Sequence, residues 1–384
     1  MKRRTVLSGL VGVGALSGVV GRVGAAAPIT VPDDYTSIQA AVDNADPGGT
    51  VVVDGKAGDG TYREQVIVRK DLTVRGKHDP TLLPPDGSLG VRDIAVIQPI
   101  FGAVGYGNEV TVEGVTIDGE GATDKGGFYS CVGYYKADGK ISDITARGAD
   151  YGGYISQNRG GGGSQDVTVR DSRFEELGLG RGNIGETQLV FNEPGTTGKV
   201  TNSTFVATPD EYPLIYGVNI GYGASVDVQQ NTFRKFYSEG GFGVGTYAFN
   251  APDCTIQKNT YEACQYPIYV TASSRVQSDS ADKQRIIKNT IDGEELPDAV
   301  TSYGTTLYAF DTNADDGRQE TVNNVKVINN DYSDLTYGVA SFTSGEGVIQ
   351  NTKIIRNEFE NIAEAEITTA GDVMTKTQAN RLGE

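Results

Sequence analysis

The 384-residue sequence predicts an all-β solenoid, a parallel β-helix. Three observations carry that expectation. One eight-residue pattern (apolar, x, apolar, x, x, often Asn or Ser, x, then aromatic or aliphatic) returns nine times. The copies begin at Val110, Gly139, Val167, Gly198, Val226, Cys254, Gln284, Val325 and Thr352, at intervals of 29, 28, 31, 28, 28, 30, 41 and 27 residues. Second, apolar residues inside each copy alternate with period two, which makes it strand, tight turn, strand. A third Gly- and Tyr-rich stretch follows each one, as in "YGGYISQN", "IYGVNI", "GTYAFN" and "PIYVTA". Third, the composition (Gly 52, Tyr 20, Trp 0, Met 2) suits turns and strands rather than helices. Three short strands per coil of about 28 residues is a parallel β-helix layout; a helical solenoid needs apolar spacing of 3.6.

The elements follow in chain order. Residues 1–27 resemble a twin-arginine export signal: Lys2-Arg3-Arg4-Thr5-Val6-Leu7, an apolar stretch from Val6 to Val20, then Ala25-Ala26-Ala27. The alternative, a retained anchor, is opposed by a Gly-rich stretch short of the roughly 20 apolar residues that span a bilayer. The implied location is secreted or at the cell surface. Ile29–Val31 reads as a strand, Tyr35–Asn44 as a short amphipathic helix capping the open end of the core, and Pro47-Gly48-Gly49 as the turn into the first coil. Gly60-Thr61-Tyr62 is a further turn, and Glu64 leads into strand Val66–Val68. The β-helix domain is expected over residues 28–366, with 367–384 a polar tail.

Within the repeats, the sixth position holds Asn231, Asn259, Asn289, Asn330 and Asn357 in five successive copies. Stacked coils lie about 4.8 Å apart, so these amides are expected to form a hydrogen-bonded ladder. The column just after the eighth position reads Asp118, Arg147, Glu175, Val206, Arg234, Glu262 and Asp292, which predicts ion pairs between coils.

Charge and chemistry narrow the function. The formal net charge is −17, or −21 without the four cations of residues 1–27 (Lys2, Arg3, Arg4, Arg22). That argues against nucleic acid or, once the signal is cleaved, a membrane as partner, since both need cationic patches. A strongly acidic chain with such a signal resembles exported proteins of salt-loving archaea. Cys131, Cys254 and Cys264 form no disulfide framework and no zinc pattern; three buried thiols are expected, with a Cys254–Cys264 bridge the alternative. His78 is the only histidine and sits in the loop "GKHDP", so Ser-His, Cys-His and His-based zinc chemistry is excluded.

The repeats, with the N-terminal block "ITVPDDYTSIQAAVDNADPGGTVVVDG…GTYREQVIV", resemble the pectin-lyase-like superfamily over nearly all of residues 29–365. That resemblance implies a single-stranded right-handed parallel β-helix with a polysaccharide or cell-surface glycan lying lengthwise over one sheet, that of the third strands. One register there aligns Tyr154, Leu189, Tyr216, Tyr247, Tyr269 and Tyr308. Three residues on come Gln157, Asn192, Asn219, Asn250, Ala272 and Asp311. Tyr rings pack on sugar faces while amides match hydroxyls. A one-residue slip turns every side chain over, so an internal aromatic stack is the other reading of the same column.

For acid–base chemistry, Asp150, Arg159, Arg181, Glu186 and Glu193 cluster across two successive coils. Carboxylates with Arg suit β-elimination from a uronate, with calcium as the cofactor such a site would take; two acids suit glycoside hydrolysis. Asp311, Asp315 and Asp316 are a candidate calcium site, against solvated loop acids. The sequence lacks the motifs of pectate lyases and pectin methylesterases. The expected function is therefore a secreted polysaccharide lyase or hydrolase, with a non-catalytic glycan-binding or surface protein as the alternative. A third reading, a copper-loading β-helix, is opposed by the scarcity of His and Met.

Overall fold

The computed structural model describes residues 27–381 apart from 88, 90–96, 122–127, 158–162, 179–185, 210–212, 274–279 and 311–318. It is a parallel β-helix built from a 15-stranded and a 20-stranded sheet. One coil shows the plan. Ser225–Gln229 lies in the first sheet, a tight turn at Asn231 leads to the three-residue strand Thr232–Arg234, and a corner leads to the long strand Phe242–Phe249. The short and long strands share the second sheet, and each strand pairs in parallel with its counterpart one coil on.

The expected amide ladder forms. Asn231, Asn259, Asn289, Asn330 and Asn357 are buried, and each Oδ1 accepts the backbone N–H of the equivalent residue one coil back at 2.9–3.0 Å. Ser172 and Ser203 begin the ladder with their hydroxyls, and Asn380 ends it. A buried polar group is tolerated only when paired; here each amide pairs the turn of one coil to the next. Outside, Arg147 pairs Asp118 at 2.8 Å and Arg234 pairs Glu262 at 2.6 Å, as the alternating column predicts. The three cysteines are buried and unbridged.

The interior carries its own aromatic stack. Phe174, Phe205, Phe233 and Tyr261 stack at 5.0, 4.9 and 4.8 Å, and Tyr332 stacks on Phe359 further along. The buried phenols of Tyr261 and Tyr332 are satisfied by Thr246 and Thr305, both at 2.8 Å.

At the N-terminal end, helix Ile38–Asn44 covers the core as expected. Ser37 caps it, and Glu64 takes the N–H groups of Ile38 and Gln39 at 2.7 and 2.8 Å. Gln39 then clamps the backbone of Ile67, accepting its N–H at 2.6 Å and donating to its carbonyl at 3.1 Å. The helix thereby pairs part of a sheet edge that would otherwise stand open. So the Thr61-Tyr62-Arg63-Glu64 stretch is architecture: Tyr62 also bonds the carbonyl of Asp54 at 2.7 Å. His78 pairs with Asp54 at 2.9 Å, which helps to hold that carboxylate well below its usual range.

The C-terminal boundary differs from expectation. The strand Glu358–Ala370 runs past residue 366, and Val373–Gln378 adds another strand in parallel to Val348–Ile355. The polar segment 367–384 therefore continues the solenoid through its described part. Polar composition misled because only the inward half of an end coil must be apolar.

Candidate functional site

The long strands place their outward side chains in three columns, fixed by strand register. The first runs Gly133, Tyr154, Val190, Asn219, Tyr247, Tyr269, Thr306, Ala340. The second, two residues on, runs Tyr135, Ser156, Asn192, Gly221, Phe249, Thr271, Tyr308, Phe342. The third lies at the corner and includes Tyr151, Thr187, Tyr216, Val244, Tyr266, Tyr303 and Tyr337.

The corner column exists because of a recurring irregularity. The residue after it is glycine in five coils (Gly152, Gly217, Gly245, Gly304, Gly338) and Gln188 or Pro267 in the other two, and ladder pairing skips this position. A Cβ on Gly217 would lie 2.9 Å from Phe233, and one on Gly245 2.8 Å from Tyr261. Glycine lets the chain turn close against the inner aromatic stack, and the following core residue also points inward. The extra inward residue is a bulge, so Tyr216 and Asn219, three apart, share the outer face.

The rings merge into one surface. Tyr216 meets Tyr247 at 5.3 Å, Tyr247 meets Tyr269 at 5.6 Å, and Phe242 touches Tyr266 and Tyr269 at 4.7 and 5.1 Å. Tyr266 stacks on Tyr303 at 5.2 Å, and Tyr303 on Tyr337 at 4.9 Å. These rings are half-buried by one another. That crowding raises the phenol pKa of Tyr216 and of Tyr266 to about 12, and that of Tyr269 further. Thr271 and Thr306, in the same columns, have buried hydroxyls with no hydrogen-bond partner among the described residues. From Gly133 to Ala340 the three columns hold aromatic, aliphatic, amide and hydroxyl groups, and no carboxylate or cation.

No family model and no curated protein sequence matches the chain. Solved structures do match. An exopolygalacturonase from Thermotoga maritima superposes with a TM-score of 0.56 at 10% identity, covering 85% of this chain and 84% of that one. A DFA-IIIase from Arthrobacter chlorophenolicus A6, without its lid and in complex with GF2, gives 0.53 at 13% identity, covering 92% and 98%. PfbA, a surface adhesin of Streptococcus pneumoniae, superposes more loosely, at 0.46 and 14% identity, covering 89% and 91%. The fold the chain shares with the first two is the parallel β-helix. At these identities the likeness speaks for the fold alone.

Within that β-helix the expected substrate residues divide. Tyr154, Asn219, Tyr247 and Tyr269 share one outward column, so the outward reading of the tyrosines holds for them. Asn192 and Tyr308 lie in the second column and Tyr216 in the third, all on the same face. The single register drawn from sequence is corrected: Leu189 points into the core and is fully buried. Gln157 and Asn250 are buried beyond the strand ends, Gln157 pointing its Nε2 to the Gly195 carbonyl at 3.4 Å. Asn250 clamps the backbone of Ser273, donating at 2.7 Å and accepting at 2.8 Å. Both are turn clamps, because a chain leaving a strand must pair its freed backbone groups. Asp311 lies outside the described residues, as do Asp315 and Asp316.

The catalytic set fares differently. Arg159 and Arg181 lie outside the described residues. Asp150 and Glu186 occupy the same register in adjacent coils, one residue before the corner column. They are only 3% and 0% exposed. Asp150 accepts the Tyr129 N–H at 2.9 Å, and Glu186 accepts from Gln188 Nε2 at 2.8 Å and Thr208 N at 3.0 Å. Later coils use Gln265 and Thr336 at this register, accepting the N–H groups of Gly243 and Ser302 at 3.0 and 3.1 Å. The corner thus carries a recurring clamp on the backbone one coil back, of which Asp150 is an acidic version, while Glu186 holds the Thr208 N–H of the following coil. Glu193 lies beyond the long strand with φ 81° and accepts from Ser156 Oγ at 2.8 Å. Among the described residues, no three His, Cys, Asp or Glu side chains converge as a metal site.

Sequence reasoning missed Tyr151, Phe242, Tyr266, Tyr303 and Tyr337. The available signal was the Tyr-Gly pair at 151–152, 216–217, 303–304 and 337–338, which marks the bulge.

Proposed function

We propose that this chain is an exported glycan-binding β-helix protein that holds a polysaccharide lengthwise along its uncharged aromatic face. The observation that carries the reading is the continuous ring surface from Tyr216 to Tyr337, with the part-exposed amides of Asn219 and Asn192 on the same face. Flat apolar rings beside hydrogen-bonding groups suit sugars, whose ring faces are apolar and whose rims are hydroxylated. Two solved structures that superpose above 0.5 are, by name, an exopolygalacturonase and a DFA-IIIase with GF2 bound. Both names are in keeping with a glycan on this fold. The signal-like residues 1–27 support export.

Binding is favoured over turnover because Asp150 and Glu186 are buried clamps, which removes them as an acid pair for glycoside hydrolysis. One observation favours chemistry instead. At the N-terminal end of the face, Asn192 donates to Tyr154 Oη at 3.2 Å and Ser156 donates to Glu193, a polar cluster with one carboxylate. The test is equilibrium binding of the chain from Pro28 to neutral and uronate-containing polysaccharides, with parallel assays for new reducing ends and unsaturated products. Saturable binding without product is the expected result. Product formation abolished by Glu193→Gln would replace this reading with the enzymatic one.

A further inference from the structure

A second surface lies on the first sheet. Its outward column starts at Thr50, carries Lys140, Lys199 and Asp227 midway, and ends in Arg285, Lys326, Lys353 and Lys376, four cations in four successive coils. Two residues along each strand, Ile287, Ile328 and Ile355 form an outward aliphatic stripe. Beyond it, the left-handed turn column carries Lys258, Lys288 and Arg356, linked coil to coil through Ile287, Ile328 and Gln378 carbonyls. All seven cations are exposed, and none has an ion-pair partner among the described residues. Nearby acids are engaged or lie around the next turn: Asp282 pairs with Lys283, Glu358 with Arg381, and Asp331 sits beside Glu358 on the short strands. Lys326, Lys353 and Lys376 also line a shallow groove of about 660 Å³ with Asn324, Asn351 and Met374.

This arrangement works against the fold. Like charges on facing strand positions are destabilising; this molecule alternates signs at Asp118–Arg147 and Arg234–Glu262, but stacks acids at Asp71, Glu109, Asp138 and Asp166 on the first sheet. The stacked acids are tied to backbone N–H groups, Asp71 to Glu109 and Asp138 to Asp166, whereas the four cations, about 4.8 Å apart, have no such compensation among the described residues, which favours an external anionic partner. The net charge of −17 does not forbid an anionic ligand. Salt screens charges beyond about 8 Å at physiological ionic strength, so the local patch governs contact.

We propose that this strip binds a linear acidic polysaccharide, independently of the aromatic face. The strip is about 10 Å wide, three residues along a strand, and about 14 Å long, three coil spacings. That fits one extended chain bearing an anionic group on each repeating unit, with Ile287, Ile328 and Ile355 under its apolar edges. A nucleic acid duplex or a lipid surface needs a far broader cationic area.

The test uses the full chain from Pro28 with polygalacturonate, a neutral glucan, a DNA duplex and anionic vesicles as probes. Polygalacturonate is expected to bind at low salt and weaken steeply as salt rises. The Arg285→Gln/Lys326→Gln/Lys353→Gln/Lys376→Gln variant should lose at least about tenfold in that affinity. The neutral glucan should bind the four-site variant as tightly as it binds the parent chain. Lys353→Glu restores sign alternation, so it should raise the melting temperature while lowering polygalacturonate affinity. Tighter binding of duplex or vesicles than of polygalacturonate, full affinity in the four-site variant, or a lower melting temperature in Lys353→Glu would each overturn the assignment.

Discussion

Asn289 shows how one side chain holds several coils. It is fully buried, its Oδ1 accepts from Asn259 N and Nδ2 at 3.0 Å, and its Nδ2 donates to Asn330 Oδ1 and Ile256 O at 2.9 Å. Asn289→Ala leaves the buried Asn259 N–H without its acceptor and takes one partner each from Asn259 Nδ2, Asn330 Oδ1 and the Ile256 carbonyl, an unpaired group costing about 1–3 kcal/mol. The expected loss is at least about 3 kcal/mol in denaturant unfolding; a loss below about 1 kcal/mol would mean water replaces the amide. The outer tyrosines give a pH prediction. Tyr216 and Tyr266 titrate near 12 in the fold and near 10 when unfolded. Below pH 10 both states keep the proton. Between 10 and 12 the unfolded chain releases it first, so stability falls as pH rises. Melting temperatures across that window, with phenolate absorbance, check this; ionisation of all tyrosines near 10 would contradict the packing. The amide ladder was legible because sixth-position amides recur at the coil period. The roles of Asp150 and Glu186 were not, because a buried clamp and an acid pair use the same residue type.

At the scale of the element, the corner between short and long strand decides which rings face out. Gly217→Ala places a methyl 2.9 Å from Phe233 and against the Gly245 carbonyl. Overpacking of this kind costs about 1–3 kcal/mol, and the variant should unfold earlier with weaker glycan binding through displaced Tyr216. Unchanged stability would mean the corner relaxes freely. The strands themselves were legible from period-two alternation and turn residues. Their register on the third strand was not, because the bulge adds an inward residue and converts a spacing of three into a same-face pair at Tyr216 and Asn219. Tyr154 and Tyr247 already lie past the bulge, so Gln157 and Asn250, three residues on, turn inward, and Leu189 is one residue short of the outward Val190.

For the whole molecule, the solenoid turns a sequence repeat into long linear surfaces. The second sheet presents a neutral aromatic strip, and the C-terminal half of the first sheet presents a basic one, on a chain whose net charge is −17. The architecture was legible in the nine repeats, since their spacing left no other stacked fold. The separation into two strips was not, because it depends on which residues of distant coils share a column. The measurement that bears most directly on the central claim is calorimetric titration of a neutral polysaccharide into the chain from Pro28 and its Tyr247→Ala/Tyr269→Ala variant. Outward rings that grip sugar predict an affinity loss of at least about tenfold, with folding retained. Equal affinity in the two proteins would contradict the account and remove the aromatic face from the binding site.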